Sequence, residues 1–165
     1  VIAWSTNLTQ ERADQQAQAQ GLPAGSFEAV PSKAEFFQRA DILSIHYVLS
    51  ERSRGIVGRD DLGTMKRTAM VVNTSRGPLI DQKALLEVLN AGRVRGAALD
   101  VFETEPLPAD SPWRTTAWGT GGRSEVLLTP HMGYGDEEVL HVWYQQMAEN
   151  LARWLDGQEL QTRMN

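Results

Sequence analysis

Short apolar runs alternate with segments of helical spacing along this chain, and few folds accommodate such an alternation. The runs lie at residues 1–5, 42–46, 69–73, 96–101 and 125–129. Most of them are apolar on both faces of an extended backbone, which is typical of strands that helices cover on both sides. Strands that alternate with helices are joined by crossovers and lie parallel. The sequence therefore predicts an α/β protein with a parallel sheet between two layers of helices.

Helices are predicted in the intervals between these runs. They lie at residues 10–20, 33–40, 59–65, 82–91 and 136–156, with a further short strand at 27–30. Thr9 and Asp81 are predicted N-caps, because a side-chain oxygen can accept hydrogen bonds from the N–H groups of the first turn. Residues 103–124 hold three prolines and three glycines, so we expect a loop without any helix. A loop of this length inside a compact domain is usually functional.

The composition excludes several classes of protein. The 165 residues include no cysteine, which rules out disulfides, thiolate metal sites and a cysteine nucleophile, and we expect no metal. The net charge of −5 argues against a nucleic-acid partner, because such a partner requires a basic face. No apolar run approaches the roughly 18 residues that cross a bilayer, so we expect no membrane partner and a cytoplasmic protein.

The chain begins on the apolar run 1–4 and not on a methionine. Because a domain seldom starts inside a core strand, we expect the sequence to be part of a longer chain.

Polar residues follow several of the predicted strands. They are His46 and Tyr47, the segment 73–77, Asp100 with Glu103 and Glu105, and the segment 129–131. Ligands of parallel α/β sheets bind at the carboxyl ends of the strands, so these residues share the edge where a site is expected. Arg76 can hold a carboxylate through two parallel hydrogen bonds, and His131 can exchange a proton near neutral pH. The set favours chemistry on a small anion.

Each of these residues also has a plainer interpretation. Taken singly, Arg76 fits a surface ion pair, His131 a structural histidine and Asp100 the cap of a turn. Glu103 is expected to be solvated. Their joint occurrence at strand ends is what favours a functional site.

Long motifs in this order resemble those of the D-isomer-specific 2-hydroxyacid dehydrogenases. The motifs are SRGIVG at 53–58, MK at 65–66, VNTSRGPLID at 72–81, GAALDVF at 96–102, EP at 105–106 and LLTPHMGY at 127–134. The resemblance covers essentially the whole chain. It implies a Rossmann-like, doubly wound parallel sheet that is incomplete at its N-terminus. Residues 1–135 are then a partial NAD(P)-binding domain, and 136–165 are a helix and tail leading back toward a substrate domain.

The resemblance also implies an activity. The family transfers a hydride between NAD(P)H and a small 2-oxo acid, giving a D-2-hydroxy acid, and the complete protein is expected to be a homodimer. Arg76 matches the arginine that binds the substrate carboxylate and polarises the C2 oxygen. His131 matches the general acid/base, and Glu105 matches the carboxylate that pairs with this histidine and favours its protonated form.

Further residues match positions of the family that contact the cofactor. Asp100 matches the residue at the nicotinamide end. The positions that line the cofactor elsewhere are His46, Tyr47, Asn73 and Thr74.

The sequence departs from the family pattern in its glycines. No G-x-G-x-x-G motif occurs in the chain, although backbone N–H groups of that turn hold the pyrophosphate. The family order places this turn just upstream of residue 1. The strand before the turn would lie between the strands at 1–5 and 42–46, so the predicted sheet has a gap there.

A second departure leaves the choice between NAD and NADP open. Ser5 and Asn7 stand where the family has an acidic residue for the adenosine ribose. Without that carboxylate a 2′-phosphate is admissible, with Arg12 as its partner; alternatively Ser5 and Asn7 bind the ribose hydroxyls of NAD. A different class of function also stays open, because some relatives use this fold as a non-catalytic sensor of the cofactor and a truncated product could be inactive.

Two groups of tryptophans have alternative interpretations. Trp113 and Trp118 either line the mouth of the active site or pack against the domain surface or a partner subunit. On the last helix, Trp143, Met147, Leu151 and Trp154 form one apolar stripe, which we interpret as a packing face.

Overall fold

A computed structural model describes residues 1–162; the last three residues of the predicted tail, 163–165, lie outside the described residues. The strands are β1 (Ile2–Ala3), β2 (Glu28–Ala29), β3 (Ile42–Ile45), β4 (Met70–Asn73), β5 (Gly96–Leu99) and β6 (Glu125–Leu128). The helices are α1 (Gln10–Ala19), α2 (Lys33–Arg39), α3 (Arg59–Thr64), α4 (Gln82–Asn90), α5 (Pro112–Thr115) and α6 (Glu137–Leu155). A 3₁₀ turn, Gly77–Leu79, follows β4.

The strands form two parallel sheets, which confirms the predicted fold class. Four strands pair in the order β3-β4-β5-β6, and β1 pairs with β2 separately. All the pairs are parallel, and the carboxyl end of β4 at Asn73 lies beside Ile45 on one side and Leu99 on the other. The ends of the four strands therefore meet at one edge, as the sequence predicts.

Local capping explains where the predicted helices begin. The side chain of Thr9 accepts a hydrogen bond from the N–H group of Arg12 at 3.3 Å, and Asp81 Oδ1 accepts one from Ala84 at 3.0 Å. Both predicted N-caps are confirmed. On α4 the residues Ala84, Leu85, Val88 and Leu89 are buried and contribute to the core beneath the four-stranded sheet. Burial of a leucine or valine side chain stabilises the fold by about 1.5–3 kcal/mol.

The prediction that residues 103–124 contain no helix is wrong. The one-turn helix α5 begins at Pro112, and the Ser111 side chain accepts a hydrogen bond from Trp113 N–H. A proline is tolerated in the first turn because its missing N–H would have no partner there. Trp113 is 3% exposed, and its Nε1 donates to Gln82 at 3.3 Å, while Trp118 Nε1 donates to the Trp113 carbonyl at 2.9 Å. Both tryptophans pack against the domain, in line with that interpretation.

An apolar groove separates the two sheets. It has a volume of about 440 Å³, and the unpaired edges of β1 and β3 both line it. Ile42 is one of its lining residues and is 66% exposed. The groove lies where the sequence predicts a gap in the sheet. A hydrogen bond from Thr6 N–H to the hydroxyl of Tyr47, at 3.1 Å, connects the segments that follow β1 and β3.

Beside this groove, an ion pair joins β2 to α2. Arg39 donates two hydrogen bonds of 2.6 Å to the carboxylate of Glu28 and a third to Glu35. The guanidinium holds the pKa of the Glu28 carboxyl below its ordinary value. Because the ion pair is exposed, it contributes little to the free energy of unfolding, and we expect its main effect to be on the orientation of β2.

The chain divides into two compact units, Val1–Pro130 and His131–Asn165. The second unit contains α6, none of whose residues is buried. The stripe of Trp143, Met147, Leu151 and Trp154 is exposed, although the ring of Trp143 stacks on Tyr134 with the centroids 6.0 Å apart. Its role as a packing face stays a prediction. Among the described residues, no helix combines the length and the apolar character needed to cross a membrane.

Candidate active site

Arg76 stands on a short loop at the carboxyl end of β4. Asn73 ends that strand and is 1% exposed, and its side-chain amide bonds to the loop twice. Nδ2 donates to the carbonyl of Arg76 at 2.9 Å, and Oδ1 accepts from the N–H of Ser75 at 3.1 Å. The Arg76 side chain itself is exposed, and its Nη1 donates to the carbonyl of Ser75 at 2.7 Å. A cationic group is thus presented at the sheet edge on a loop with a fixed backbone.

Glu105 stands on the neighbouring loop, which follows β5. Its Oε1 accepts a hydrogen bond from the N–H of Phe102 at 2.8 Å, and the residue is exposed. The two loops touch through backbone atoms, because a Cβ placed on Gly77 would lie 2.0 Å from the carbonyl carbon of Phe102. Only glycine permits this approach. The loop of Arg76 and the loop of Glu105 therefore pack directly against each other.

Asp100 is the first residue after β5 and is 3% exposed. Its N–H donates to the Asn73 carbonyl at 3.0 Å, and its Oδ1 accepts a hydrogen bond from the Thr129 hydroxyl at 2.6 Å. These contacts hold together the ends of β4, β5 and β6. A buried carboxylate with this support is positioned with little freedom.

The predicted cofactor contacts on the other side of the sheet edge involve Tyr47. Its ring stacks on Trp4 with the centroids 6.4 Å apart, and its carbonyl accepts a hydrogen bond from the Ser75 hydroxyl at 3.0 Å. His46 is exposed, with Nε2 2.8 Å from the hydroxyl of Ser44. Tyr47 thus connects the region around β1 to the loop of Arg76.

The remaining predicted cofactor residues differ in their surroundings. Thr74 is exposed on the loop of Arg76. Ser5 is half-buried, and its carbonyl accepts a hydrogen bond from Leu8 at 3.3 Å. The carbonyl of Asn7 accepts one from Nη1 of Arg12 at 3.3 Å. The guanidinium of Arg12 therefore stands beside the turn that leads from β1 into α1.

His131 opens the second unit, directly after Pro130. It is half-buried and has a φ of 57°, the one positive φ outside glycine in the part of the chain that the structure describes. Histidine is among the residues that tolerate this region, but the conformation is still uncommon and costs free energy. Such backbone strain is found preferentially at functional positions.

Sequence reasoning missed three contributors to this geometry. Gly77 permits the two loops to touch, Ser75 joins the Arg76 loop to Tyr47, and Thr129 supports Asp100. A signal for Gly77 existed, since a glycine directly after a polar strand end often marks close approach of two backbones. The other two contacts depend on which loops meet in space.

Gly77→Ala is expected to destabilise the protein by about 1–3 kcal/mol, because the added methyl group cannot fit against the backbone of Phe102 without moving one of the loops. The midpoint of urea unfolding of the complete protein measures the change. Gly63→Ala is the matched control, since a Cβ at Gly63 in α3 meets no atom within 4 Å. Equal midpoints for the two variants would contradict the close packing of the loops.

Comparison with known proteins gives a consistent set of similarities. A profile of the family described as D-isomer specific 2-hydroxyacid dehydrogenase, NAD binding domain, matches residues 1–133. The D-3-phosphoglycerate dehydrogenase of Methanocaldococcus jannaschii is 39% identical over 138 residues, which are 84% of this chain and 25% of that protein. The glyoxylate reductase of Korarchaeum cryptofilum is 38% identical over 131 residues, or 79% of this chain and 37% of the relative.

Solved structures show the same similarity. A phosphoglycerate oxidoreductase from Vibrio cholerae superposes with a TM-score of 0.73 at 34% identity, covering 94% of this chain and 45% of that one. A D-isomer specific 2-hydroxyacid dehydrogenase from Xanthobacter autotrophicus, solved with NADPH and MES, gives 0.64 at 26% identity over 100% of this chain and 60% of the other. This chain thus spans a quarter to well under half of the length of the two curated relatives.

Proposed function

Because this chain belongs to the D-isomer-specific 2-hydroxyacid dehydrogenase family, within the NAD-binding domain, we propose that the complete protein reduces a small 2-oxo acid to a D-2-hydroxy acid with NAD(P)H. The reverse reaction oxidises the D-2-hydroxy acid and reduces NAD(P). The observation that carries the proposal is the loop of Arg76, held at the carboxyl end of β4 against the loop of Glu105. We include in the proposal that the complete protein is a cytoplasmic homodimer, as the family resemblance implies.

The donor set at the sheet edge fits the nicotinamide half of a dinucleotide. Asp100 is buried and held by Thr129, and it would face the nicotinamide end. The exposed His46 and Thr74, with Tyr47 and Asn73, would line the remainder. When bound, NAD(P)H supplies the hydride. The pyrophosphate lacks its usual partner here, since the chain contains no G-x-G-x-x-G turn.

Three side chains are assigned the chemistry on the substrate. Arg76 binds the carboxylate of the 2-oxo acid and stabilises the negative charge that develops on the C2 oxygen. His131 donates a proton to that oxygen during reduction and removes it during oxidation. Glu105 is assigned the role that the family resemblance implies, which is to stabilise the cationic form of the imidazole. The exposure of the Arg76 side chain supports this assignment, because a small anion can reach the guanidinium from solvent.

The identity of the nucleotide depends on the turn after β1. No carboxylate stands at Ser5 or Asn7 to repel a 2′-phosphate, and the guanidinium of Arg12 lies within 3.3 Å of the Asn7 carbonyl. This arrangement favours NADPH. The alternative is that Ser5 and Asn7 bind the ribose of NADH, and the Xanthobacter relative crystallised with NADPH supports the first choice.

The test is oxidation of NADPH and NADH by the protein that the complete gene encodes, with glyoxylate, hydroxypyruvate and bulkier 2-oxo acids as substrates. We expect turnover with at least one 2-oxo acid, and none with the corresponding amide, which lacks the carboxylate that Arg76 binds. Arg76→Met is expected to lower kcat/KM by roughly 10- to 10²-fold, because hydrogen bonds to charged groups are worth about 1.5–3 kcal/mol.

The variant Arg12→Gln tests whether the protein uses NADPH or NADH. If Arg12 binds a 2′-phosphate, the variant loses turnover with NADPH about tenfold and keeps turnover with NADH. A protein that binds NAD(P)H but turns over none of the 2-oxo acids would overturn the catalytic proposal in favour of a cofactor-sensing role.

A further inference from the structure

We infer that Asn73 is a positioning residue for Arg76, acting through the backbone of the loop that carries the guanidinium. This deepens the proposed function, because it names the group on which the geometry of carboxylate binding depends. The side-chain amide of Asn73 is 1% exposed and has both of its polar atoms engaged within the loop. Its contact with Arg76 is to the carbonyl group, so it does not occupy the guanidinium.

The amide is anchored on the sheet before it contacts the loop. Asn73 is the last residue of β4, and its carbonyl accepts a hydrogen bond from the N–H of Asp100 at 3.0 Å. The loop is therefore fixed relative to the same strand ends that carry the buried Asp100. On its other flank, the hydroxyl of Ser75 donates to the carbonyl of Tyr47 at 3.0 Å. Two independent hydrogen-bonding groups thus hold two consecutive residues of the loop, Ser75 and Arg76.

An asparagine is the side chain that suits this position. Nδ2 donates to a carbonyl while Oδ1 accepts from an N–H, and the two partners are Arg76 and Ser75. An aspartate keeps the acceptor but places a carboxylate oxygen against the Arg76 carbonyl, and an alanine removes both bonds. The aspartate thus loses one of the two bonds and the alanine loses both, so either change loosens the backbone of the loop.

The consequence for function is a shift of Arg76, not its loss. A displacement of about 1 Å at a group that orients the substrate can lower the rate on the order of 10²-fold. We therefore expect Asn73→Ala to raise KM for the 2-oxo acid at least tenfold and to lower kcat less. A purely structural role would lower the fraction of active protein, and so kcat, without raising KM.

A readout that needs no activity is cleavage by trypsin after Arg76. The protease requires a loop that opens locally, so the cleavage rate follows the freedom of the backbone at Arg76. Asn73→Ala should accelerate cleavage at the Arg76–Gly77 bond about tenfold. Asn90→Ala is the matched control, since Asn90 also donates its Nδ2 to a carbonyl, that of Leu86, but is exposed on α4. Its cleavage rate after Arg76 and its KM should equal those of the wild type.

Two further variants keep the inference testable if Asn73→Ala does not fold. Ser75→Ala removes the contact with Tyr47 and loosens the same loop without touching the buried amide, so it should accelerate cleavage after Arg76 and raise KM in the same direction. In an Arg76→Met background, Asn73→Ala should add no further increase in KM, because the group that it positions is gone.

The outcomes separate this inference from the proposed function. Wild-type cleavage and KM in a folded Asn73→Ala variant, or an equal increase in KM with and without Arg76, would overturn the positioning role. If the wild-type protein turns over no 2-oxo acid, the proposed function fails. The cleavage rate after Arg76 then still decides whether Asn73 fixes the loop.

Discussion

Replacing His131 by alanine is expected to lower kcat for reduction of a 2-oxo acid by roughly 10²–10⁴-fold, the usual contribution of a positioned general acid. The reason is that the C2 oxygen becomes an alkoxide as the hydride arrives, and without an imidazolium the proton must come from water. Binding of NADPH or NADH should change less than twofold. Steady-state kinetics, with nucleotide binding followed by fluorescence, measures both quantities.

The backbone of His131 calls for a second variant. Its φ of 57° is unfavourable for alanine, so a loss in His131→Ala could come from a shifted backbone. Asparagine tolerates this region well but cannot act as the acid. His131→Asn should therefore be as inactive as His131→Ala, and His141→Ala, on an exposed position of α6, should be fully active. Restored turnover in His131→Asn would assign the effect to the backbone and end the proposed catalytic role.

The sequence predicted the elements well where the pattern is local. The strands at 42–46, 69–73 and 125–129 are found within one residue because uninterrupted apolar runs leave few alternatives. The sequence pattern does not predict helix α5, because prolines argue against a helix unless they are known to lie in its first turn. A proline excludes a helix interior but is compatible with its first turn.

The residues of the candidate site were predictable from the sequence, but most of the contacts between them were not. Arg76 and Asp100 could be singled out because polar residues at the ends of parallel strands share one edge of a sheet. The buried amide of Asn73 could not be assigned its contacts, because they depend on the path of the chain after β4. The contact of Gly77 with Phe102 joins two loops that are 25 residues apart in sequence, and no local pattern encodes that distance.

Because an open groove separates β1 from β3, we expect the 165-residue chain expressed by itself to show no cooperative thermal transition. We also expect it to bind NADH weakly or not at all. Both strands leave one edge unpaired, and Ile42 is exposed between them. A strand in the groove would add on the order of four to six ladder hydrogen bonds, each worth about 0.5–1.5 kcal/mol. Burial of the apolar edges would add more. The sum is comparable to the 5–15 kcal/mol by which a typical domain is stable.

The decisive comparison is between this chain and the same chain preceded by a designed apolar strand, a G-x-G-x-x-G turn and a crossover helix, which a parallel neighbour of β1 requires. The extended chain should unfold cooperatively and bind NADH at micromolar concentration, because the strand joins the two sheets and the turn supplies N–H groups for the pyrophosphate. A control extension with a proline in the middle of the added strand cannot complete both ladders and should behave like the unextended chain. A contrary result would be that the 165-residue chain already melts cooperatively and binds NADH as tightly as the extended chain. The groove would then not be the place of a missing strand, and the β1–β2 pair would be stable without a further strand beside β1.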